Sequence, residues 1–405
     1  MKTNRARLKS AMEAMGSLGA EEGKGRTRFA FSEEDRQGRE LLVRWMKDAG
    51  LEVRIDVLGN IMGLRAGREE GAAPVVMGSH IDTVRYAGQF DGVAGVLSAM
   101  EVVRSLNDAR ILTEKPIAVV SFSDEEGSTP PGLMGSQYYT RHKSAEELLR
   151  RPYGGTGEWV EKRLQSIGFL GRDELPLPSS YLELHVEQGP RLDSEGLEIG
   201  AVAGIPGVLW WEGSFIGEAN HAGSTPMDMR HDSLLAVSRL HVFLQDLTKR
   251  LGGVATIGRV HTEPHVINIV PGMTKFSVDL RHLDLSKYEE ARREVNAQIA
   301  ALCAELGLRA DVNELEAAKP VIFPPALVEM VREKGEARGY KTVVMPSGAG
   351  HDAQMLASVC PSAMIFVPSA GGKSHCPEEW TEWESLSRGA DVLLDCLLQL
   401  AGRQP

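Results

Sequence analysis

The side chains with the most chemistry to offer stand in a few short segments: Gly78-Ser79-His80-Ile81-Asp82-Thr83, Asp91-Gly92, Glu125-Glu126, the strand end Leu184-His185-Val186, and Ser374-His375 after a Gly-Gly pair. Imidazoles mixed with carboxylates are the donor set that divalent zinc or manganese prefers. His80, Asp91, Glu126, His185 and His375 are the candidate ligands. Two histidines and a carboxylate can hold one zinc and leave a position for water. Two such sites sharing a carboxylate would make a dinuclear centre, with metals roughly 3.5–4 Å apart. Water activated there must pass its proton to a second carboxylate, and Glu125 stands beside Glu126. Neighbours on an extended segment point different ways, so one can bind metal while the other acts as base. Asp82, two residues after His80, is within reach of that ring's second nitrogen, the partner a metal histidine needs. Taken singly, a histidine at a strand end is more often a satisfied polar residue than a ligand. Glu289-Glu290 reads as a solvated helix face. The recurrence of such groups over three strand ends favours a metal site.

The elements that must position these groups are legible as apolar runs. Pro74-Val75-Val76-Met77 and Pro116-Ile117-Ala118-Val119-Val120 read as buried strands that deliver His80 and Glu125-Glu126 to one carboxyl edge. Ser180 to Val186 is a third strand and Ala363 to Val367 a fourth. Ser32-Glu33-Glu34-Asp35 opens a helix that Gly50 closes before the strand Leu51 to Ile55, and Val93 to Leu106 is a helix packed on the sheet. Arg151 to Pro178 reads as helical insertion plus loop. From Gly207 the pattern changes: Val208-Trp211 and Gly213-Gly217 read as two antiparallel strands, then a helix from Ser233 to Leu251, strands at Ala255-Val260 and Lys275-Arg281, and a helix from Leu285 to Leu306. A helix near Pro325–Gly339 returns the chain to the first domain. The expectation is an α/β catalytic domain, residues 1–206 and 320–405, with a mixed, mostly parallel sheet flanked by helices, interrupted by an inserted α+β sandwich at 207–319.

Composition narrows the function classes. A net charge of −11 over 405 residues, with no basic stripe, argues against nucleic acid. No run approaches about 18 apolar residues, and no apolar segment follows the charged N-terminus, so neither a membrane span nor a signal peptide is expected. Cys303, Cys360, Cys376 and Cys396 form no CxxC pair. A reducing cytoplasm suits that pattern.

These segments, with Leu184-His185-Val186-Glu187-Gln188-Gly189-Pro190 and His221-Ala222-Gly223-Ser224-Thr225-Pro226-Met227-Asp228-Met229-Arg230, resemble the M20-type metallopeptidase superfamily. More narrowly they resemble its amidase (hydantoinase/carbamoylase) branch of N-carbamoyl-L-amino acid hydrolases, allantoate amidohydrolases and β-ureidopropionases. The resemblance implies a zinc-exopeptidase-like catalytic domain with an inserted dimerisation domain, hence a homodimer. It implies two divalent metals, zinc first, with manganese, cobalt and nickel also suited. Asp91 would bridge, His80 and His185 would serve one metal, Glu126 and His375 the other, and Glu125 would be the general acid/base. It further implies that Arg281 clamps a substrate carboxylate, where a surface ion pair is the plain alternative. Asn268 would bind the same end, and Gln188 would read the ureido or amide group. His221 would stabilise the oxyanion in the partner's site, and Gly350-His351 would lie near substrate, or His351 would only brace its loop. Cys376 departs from the family, which more often has Ser after the last histidine. The expected activity is hydrolysis of the ureido C–N bond of an N-carbamoyl-L-amino acid. Allantoate or N-carbamoyl-β-alanine is the near alternative, and a dipeptidase, an aminoacylase or a non-catalytic binding protein the more distant ones.

Overall fold

The computed structural model describes residues 1–154 and 156–402. Its chain divides into two units, one of residues 1–203 with 323–405, the other of residues 204–322. In the larger unit, Val75–His80, Ile117–Phe122, Ser180–Val186 and Ser362–Val367 are buried along their whole length. Their apolar residues run on without alternation because strands covered on both faces have no solvent side. These four are adjacent and parallel, in the order Ser362–Val367, Ser180–Val186, Val75–His80, Ile117–Phe122. The flanks are antiparallel. Ile61–Arg65 and then Glu52–Ile55 extend one side, and Ile199–Val202 the other. Thr342–Met345, parallel to Ile199–Val202, completes eight strands.

Glycine sets two close approaches in this layer. Gly78 has φ 158°, and a Cβ there would lie 1.9 Å from the Val120 carbonyl oxygen. Gly95 lets the helix Val93–Asp108 settle on the sheet, since a Cβ would lie 2.5 Å from the Leu184 carbonyl oxygen. The helix Glu33–Asp48 starts at Ser32, whose hydroxyl accepts from the Asp35 N–H at 3.2 Å. From this helix a buried Arg39 pairs with Asp35 at 2.6 Å and also donates to the Gly59 carbonyl and to Ser123 Oγ. A further helix, Arg5–Gly16, and the strands Ile61–Arg65, Ile199–Val202 and Thr342–Met345 stand outside the apolar runs read from the sequence.

The smaller unit is a five-stranded antiparallel sheet: Val254–Thr256, Met273–His282, Gly207–Ile216 and Arg309–Ala318 in order, with Val260–Glu263 also on Met273–His282. Helices Ser233–Leu251 and Leu285–Leu306 cover one face, and a core of Leu209, Trp211, Phe215, Leu240, Phe276 and Tyr288 fills the space between. Two sequence expectations are corrected here. Val208-Trp211 and Gly213-Gly217 are not separate strands but one, because Gly213 sits mid-strand where a side chain would meet Val312, with its Cγ2 2.6 Å from a Cβ. Ala255-Val260 is not one strand, since it breaks over Ile257-Gly258-Arg259 into two short strands.

Candidate metal centre and its surroundings

The carboxyl ends of the parallel strands bring His80, Asp91, Glu125, Glu126, His185 and His375 to one place in the larger unit. Asp91 is the hinge of the arrangement. Its Oδ1 lies 3.6 Å from His80 Nε2 and 3.2 Å from His185 Nε2. Its Oδ2 lies 3.3 Å from His375 Nε2, which is itself 3.5 Å from Glu126 Oε2. Two ligand groups result, His80–Asp91–His185 and Asp91–Glu126–His375, with the donor atoms of each within 4.8 Å of one another. Glu125 lies on the first side, its Oε2 3.5 Å from His80 Nε2.

The backbone prepares these rings. His80 Nδ1 lies 3.0 Å from the Asp82 carbonyl oxygen and His185 Nδ1 2.9 Å from that of Val186. A proton held at each Nδ1 leaves Nε2, the atom facing Asp91, as a lone-pair donor. The Gly92 N–H at 3.1 Å from His185 Nε2 fits that state. Gly92 itself, at φ 63°, must lack a Cβ, which would lie 2.3 Å from the His80 ring. Three non-glycine residues here adopt left-handed backbone: Asp124 (φ 53°), Gln188 (φ 58°) and His375 (φ 55°). Such conformations persist only where the surroundings enforce them.

Charge is concentrated and poorly compensated. Burial, then the carboxylates Glu126, Asp352 and Asp91, push Glu125 well above the ordinary carboxylate range. Burial, then Asp91 and Asp82, do the same to Glu126. Burial holds His80 down at about 4. For His185 burial opposes charge, but its bond to Asp91 and that group's field carry it up to about 9. A carboxylate that draws a proton onto an imidazole would draw a divalent cation equally. Glu126 Oε1 and Gln188 Oε1 are buried without a hydrogen-bond partner. Orphaned buried acceptors of this kind are costly unless a cation or donor completes them. The donor set therefore fits divalent metal.

Several expected contacts differ in detail. Asp82 meets His80 through its backbone carbonyl. Its side chain, 3.7 Å from His80 Nδ1, instead accepts from the Glu125 and Glu126 N–H groups at 3.4 and 3.1 Å. A carboxylate on those amides fixes the turn that aims both glutamates. Gln188 donates from Nε2 to Asp91 Oδ2 at 2.7 Å, and its Oε1 is buried. His351, expected near substrate, is 2% exposed. Its Nε2 lies 3.0 Å from Ser347 Oγ and its ring 4.4 Å from that of His185. It packs against His185, a candidate ligand, and away from solvent, while Gly350 beside it is exposed.

Sequence reasoning missed Glu379. Its Oε1 accepts from the Phe90 and Asp91 N–H groups at 2.9 and 3.2 Å, and its Oε2 from Ser374 Oγ at 3.2 Å. One buried carboxylate thus ties the Asp91 turn to the His375 loop. The only signal was a Glu four residues past His375, which looks like surface. Glu183, two residues before His185, accepts from Ser79 Oγ and from the Ala353 N–H under the strand ends.

The remaining expected site residues belong to the smaller unit. His221 Nδ1 accepts from the Gly223 and Ser224 N–H groups at 3.0 and 3.1 Å, which puts the proton of a neutral ring at Nε2. His221 and Asn268 line one cavity of about 390 Å³. Arg281 forms a two-point ion pair with Asp279, Nε–Oδ1 3.0 Å and Nη2–Oδ2 2.9 Å.

Residues 76–399 match the family described as Peptidase family M20/M25/M40. Over 405 residues the chain is 36% identical to an N-carbamoyl-L-amino-acid amidohydrolase of Rhizobium meliloti, covering 99% of this chain and 97% of that one. It is 34% identical to an allantoate amidohydrolase of Bacillus subtilis, covering 96% of each. Among solved structures, a hydantoinase/carbamoylase-family amidase from Burkholderia multivorans superposes with a TM-score of 0.95 at 39% identity, covering 99% of this chain and 98% of that one. With its imidazole–carboxylate centre at the carboxyl edge of a mixed sheet, and relatives that match it end to end, the chain belongs to the M20/M25/M40 peptidase family.

Proposed function

We propose that this protein is a metal-dependent amidohydrolase that hydrolyses the ureido group of an N-carbamoyl-L-amino acid, R–NH–CO–NH2 + H2O giving R–NH2 + NH3 + CO2. The observation that carries the reading is Asp91, whose two oxygens face two different ligand groups. His80, Asp91 and His185 would hold one divalent cation, and Asp91, Glu126 and His375 a second. Zinc is the first choice, and manganese, cobalt or nickel suits the same donors. When bound, the cations supply Lewis acidity and bring the pKa of water toward neutrality.

The chain's own groups do the rest. Glu125, its proton affinity raised well above the ordinary carboxylate range by burial and then by neighbouring carboxylates, takes the proton from the attacking water and delivers it to the departing nitrogen. Asp82 and Glu379 hold the backbone of the segments that carry these groups. Gln188 Oε1 accepts from the ureido NH2. Arg281 takes the substrate carboxylate with a guanidinium edge and Asn268 binds the same end. His221 Nε2–H donates to the developing oxyanion. The smaller unit would pair two copies, with His221 serving the partner's centre. All four cysteines are free, which suits a reducing cytoplasm. No helix among the described residues is long and apolar enough to cross a membrane.

Allantoate, with ureido groups beside a carboxylate, would use the same residues, and a 34%-identical relative carries that activity in its name. The deciding experiment is ammonia release after chelation and reloading with zinc, manganese or cobalt. The panel is N-carbamoyl-L-amino acids, N-carbamoyl-β-alanine, allantoate and a dipeptide. Metal-dependent ammonia from the carbamoyl amino acids is expected. Turnover of the dipeptide alone would overturn the reading.

A further inference from the structure

Arg28 is fully buried in the larger unit. Burial lowers its pKa to about 10, against the field of Asp35 first, so the guanidinium is still a cation at neutral pH. Among the described residues that guanidinium hydrogen-bonds to backbone carbonyls alone. Nε donates to the Ile81 oxygen at 2.8 Å, and Nη1 to the Met15 and Leu18 oxygens at 3.1 and 3.0 Å. Nη2 is buried with no hydrogen-bond partner. A buried cation without an ion-pair partner is costly, and an apolar side chain of the same length would fill the space at less cost. What the apolar side chain cannot do is gather three carbonyls on one rigid fork.

One of those carbonyls belongs to the segment that carries the centre. Ile81 separates His80 from Asp82, and the backbone of Arg28 grips the residue after Asp82. The Arg28 N–H donates to Thr83 Oγ1 at 2.9 Å, and the Arg28 carbonyl accepts from the Thr83 N–H at 2.9 Å. Ile81 and Thr83 are thus both fastened to Arg28, with Asp82 held between them. The Asp82 carbonyl lies 3.0 Å from His80 Nδ1, and its carboxylate accepts from the Glu125 and Glu126 N–H groups. His80 is the last residue of its strand, so the carbonyl that orients it stands beyond the sheet. His185 needs no such brace, since its Nδ1 faces the carbonyl of Val186, which pairs with Val367 inside the sheet. Met15 and Leu18 lie at the end of the helix Arg5–Gly16, where the last carbonyls carry partial negative charge and favour a cation.

We propose that Arg28 is a positioning residue for metal binding: its fork ties the end of the helix Arg5–Gly16 to residues 81–83 and so sets the Asp82 carbonyl that turns His80 Nε2 toward the first cation. This rests on the metal-centre reading above. The test strips metal by chelation and measures zinc affinity by competition with a chromophoric chelator, for wild type, Arg28→Met, Arg28→Lys and Arg7→Met. Arg7 anchors the same helix to Glu101 at 2.7 Å, on the helix Val93–Asp108, and is the control for loosening the helix without removing the fork.

Arg28→Met should weaken zinc by about 10–100-fold, with excess zinc recovering part of kcat. Arg28→Lys, which keeps the charge without the fork, should fall between it and wild type. Arg7→Met should lower the melting temperature and keep wild-type affinity. In metal-free protein with isotope-labelled histidine, nitrogen NMR should show His80 losing its fixed Nδ1–H state in Arg28→Met while His185 is unchanged. Wild-type zinc affinity in folded Arg28→Met overturns the inference, and so does an equal loss in Arg7→Met, which would make the effect one of general stability. Should Arg28→Met not fold, Arg28→Lys decides: zinc affinity and the His80 signal both as in wild type overturn the inference. Wild-type protein that binds no divalent cation overturns the metal-centre reading and the inference with it.

Discussion

At the scale of single residues, the centre depends on which oxygen or nitrogen faces which neighbour. Glu125 is the sharpest case: it faces His80, its side chain is only 11% exposed, and it is kept from easy ionisation by that burial and then by Glu126, Asp352 and Asp91. Glu125→Gln preserves shape and removes the proton carrier. Turnover should fall by about 10²–10⁴, with KM within a few-fold and bound metal, measured by elemental analysis, unchanged. Near-normal turnover would remove Glu125 from the mechanism. Gly92→Ala should act differently, because its Cβ would lie 2.3 Å from the His80 ring. Metal content should drop together with activity, and excess metal should restore part of it. The ligand types were readable in the sequence because His and carboxylates at the ends of apolar runs are chemically conspicuous. The supports were not. Glu379 lies among polar residues of a loop, and Asp82 reverses its expected use because its carboxylate is better satisfied by two amides than by an imidazole already held by a carbonyl.

At the scale of elements, legibility followed burial. Val75–His80, Ile117–Phe122 and Ser362–Val367 are covered on both faces and so read as unbroken apolar runs. Thr342–Met345, at a sheet edge and half exposed, offers only the short run Val343-Val344-Met345 between Lys341-Thr342 and Pro346-Ser347. Arg309–Ala318 edges the smaller sheet, and its polar alternation hides it in the same way. The helix Arg5–Gly16 carries no acidic residue in its first turn and no basic one in its last, so only the Asn4 cap marks it. The helix Glu33–Asp48 does work that its periodicity does not announce. Through Arg39 it grips Asp35, the Gly59 turn and Ser123, the residue that opens the Asp124-Glu125-Glu126 segment. Arg39→Ala would leave Asp35 buried without its ion-pair partner, a loss of about 3–5 kcal/mol. Denaturant unfolding should show the midpoint falling by that equivalent, and an unchanged midpoint would mean that Asp35 is satisfied without Arg39. Arg39→Ala together with Asp35→Ala should cost less than Arg39→Ala alone, since the stranded charge is then gone.

At the scale of the whole molecule, the clustering of acids makes stability a function of pH and metal together. Burial is the leading cause that pushes Glu379 to about 7 and Asp82 to about 8, with Asp91 helping at the first and Asp124 and Asp35 at the second. In an unfolded chain these groups titrate near 4. The folded metal-free protein therefore holds protons that the unfolded chain has released. The resulting stability is full below about pH 4 and is lost as pH rises through 7 and 8. His80 works in the opposite sense, since its folded value of about 4 lies below the unfolded one near 6.5, but that contribution is complete by about pH 7. His185, raised to about 9, adds to the loss at the alkaline end. Between pH 7 and 8.5 the chelated protein should thus become steadily less stable. A bound cation opposes this, because the candidate ligands Glu126 and His185, both raised, bind it only after losing their protons. At a hundredfold excess over its dissociation constant it contributes about 2.7 kcal/mol, and that constant tightens as protons leave the ligands. Melting temperatures of chelated and zinc- or manganese-loaded protein should diverge as pH rises across this window. Parallel curves would mean that the acids are balanced within the fold and that the centre does not require metal to be stable.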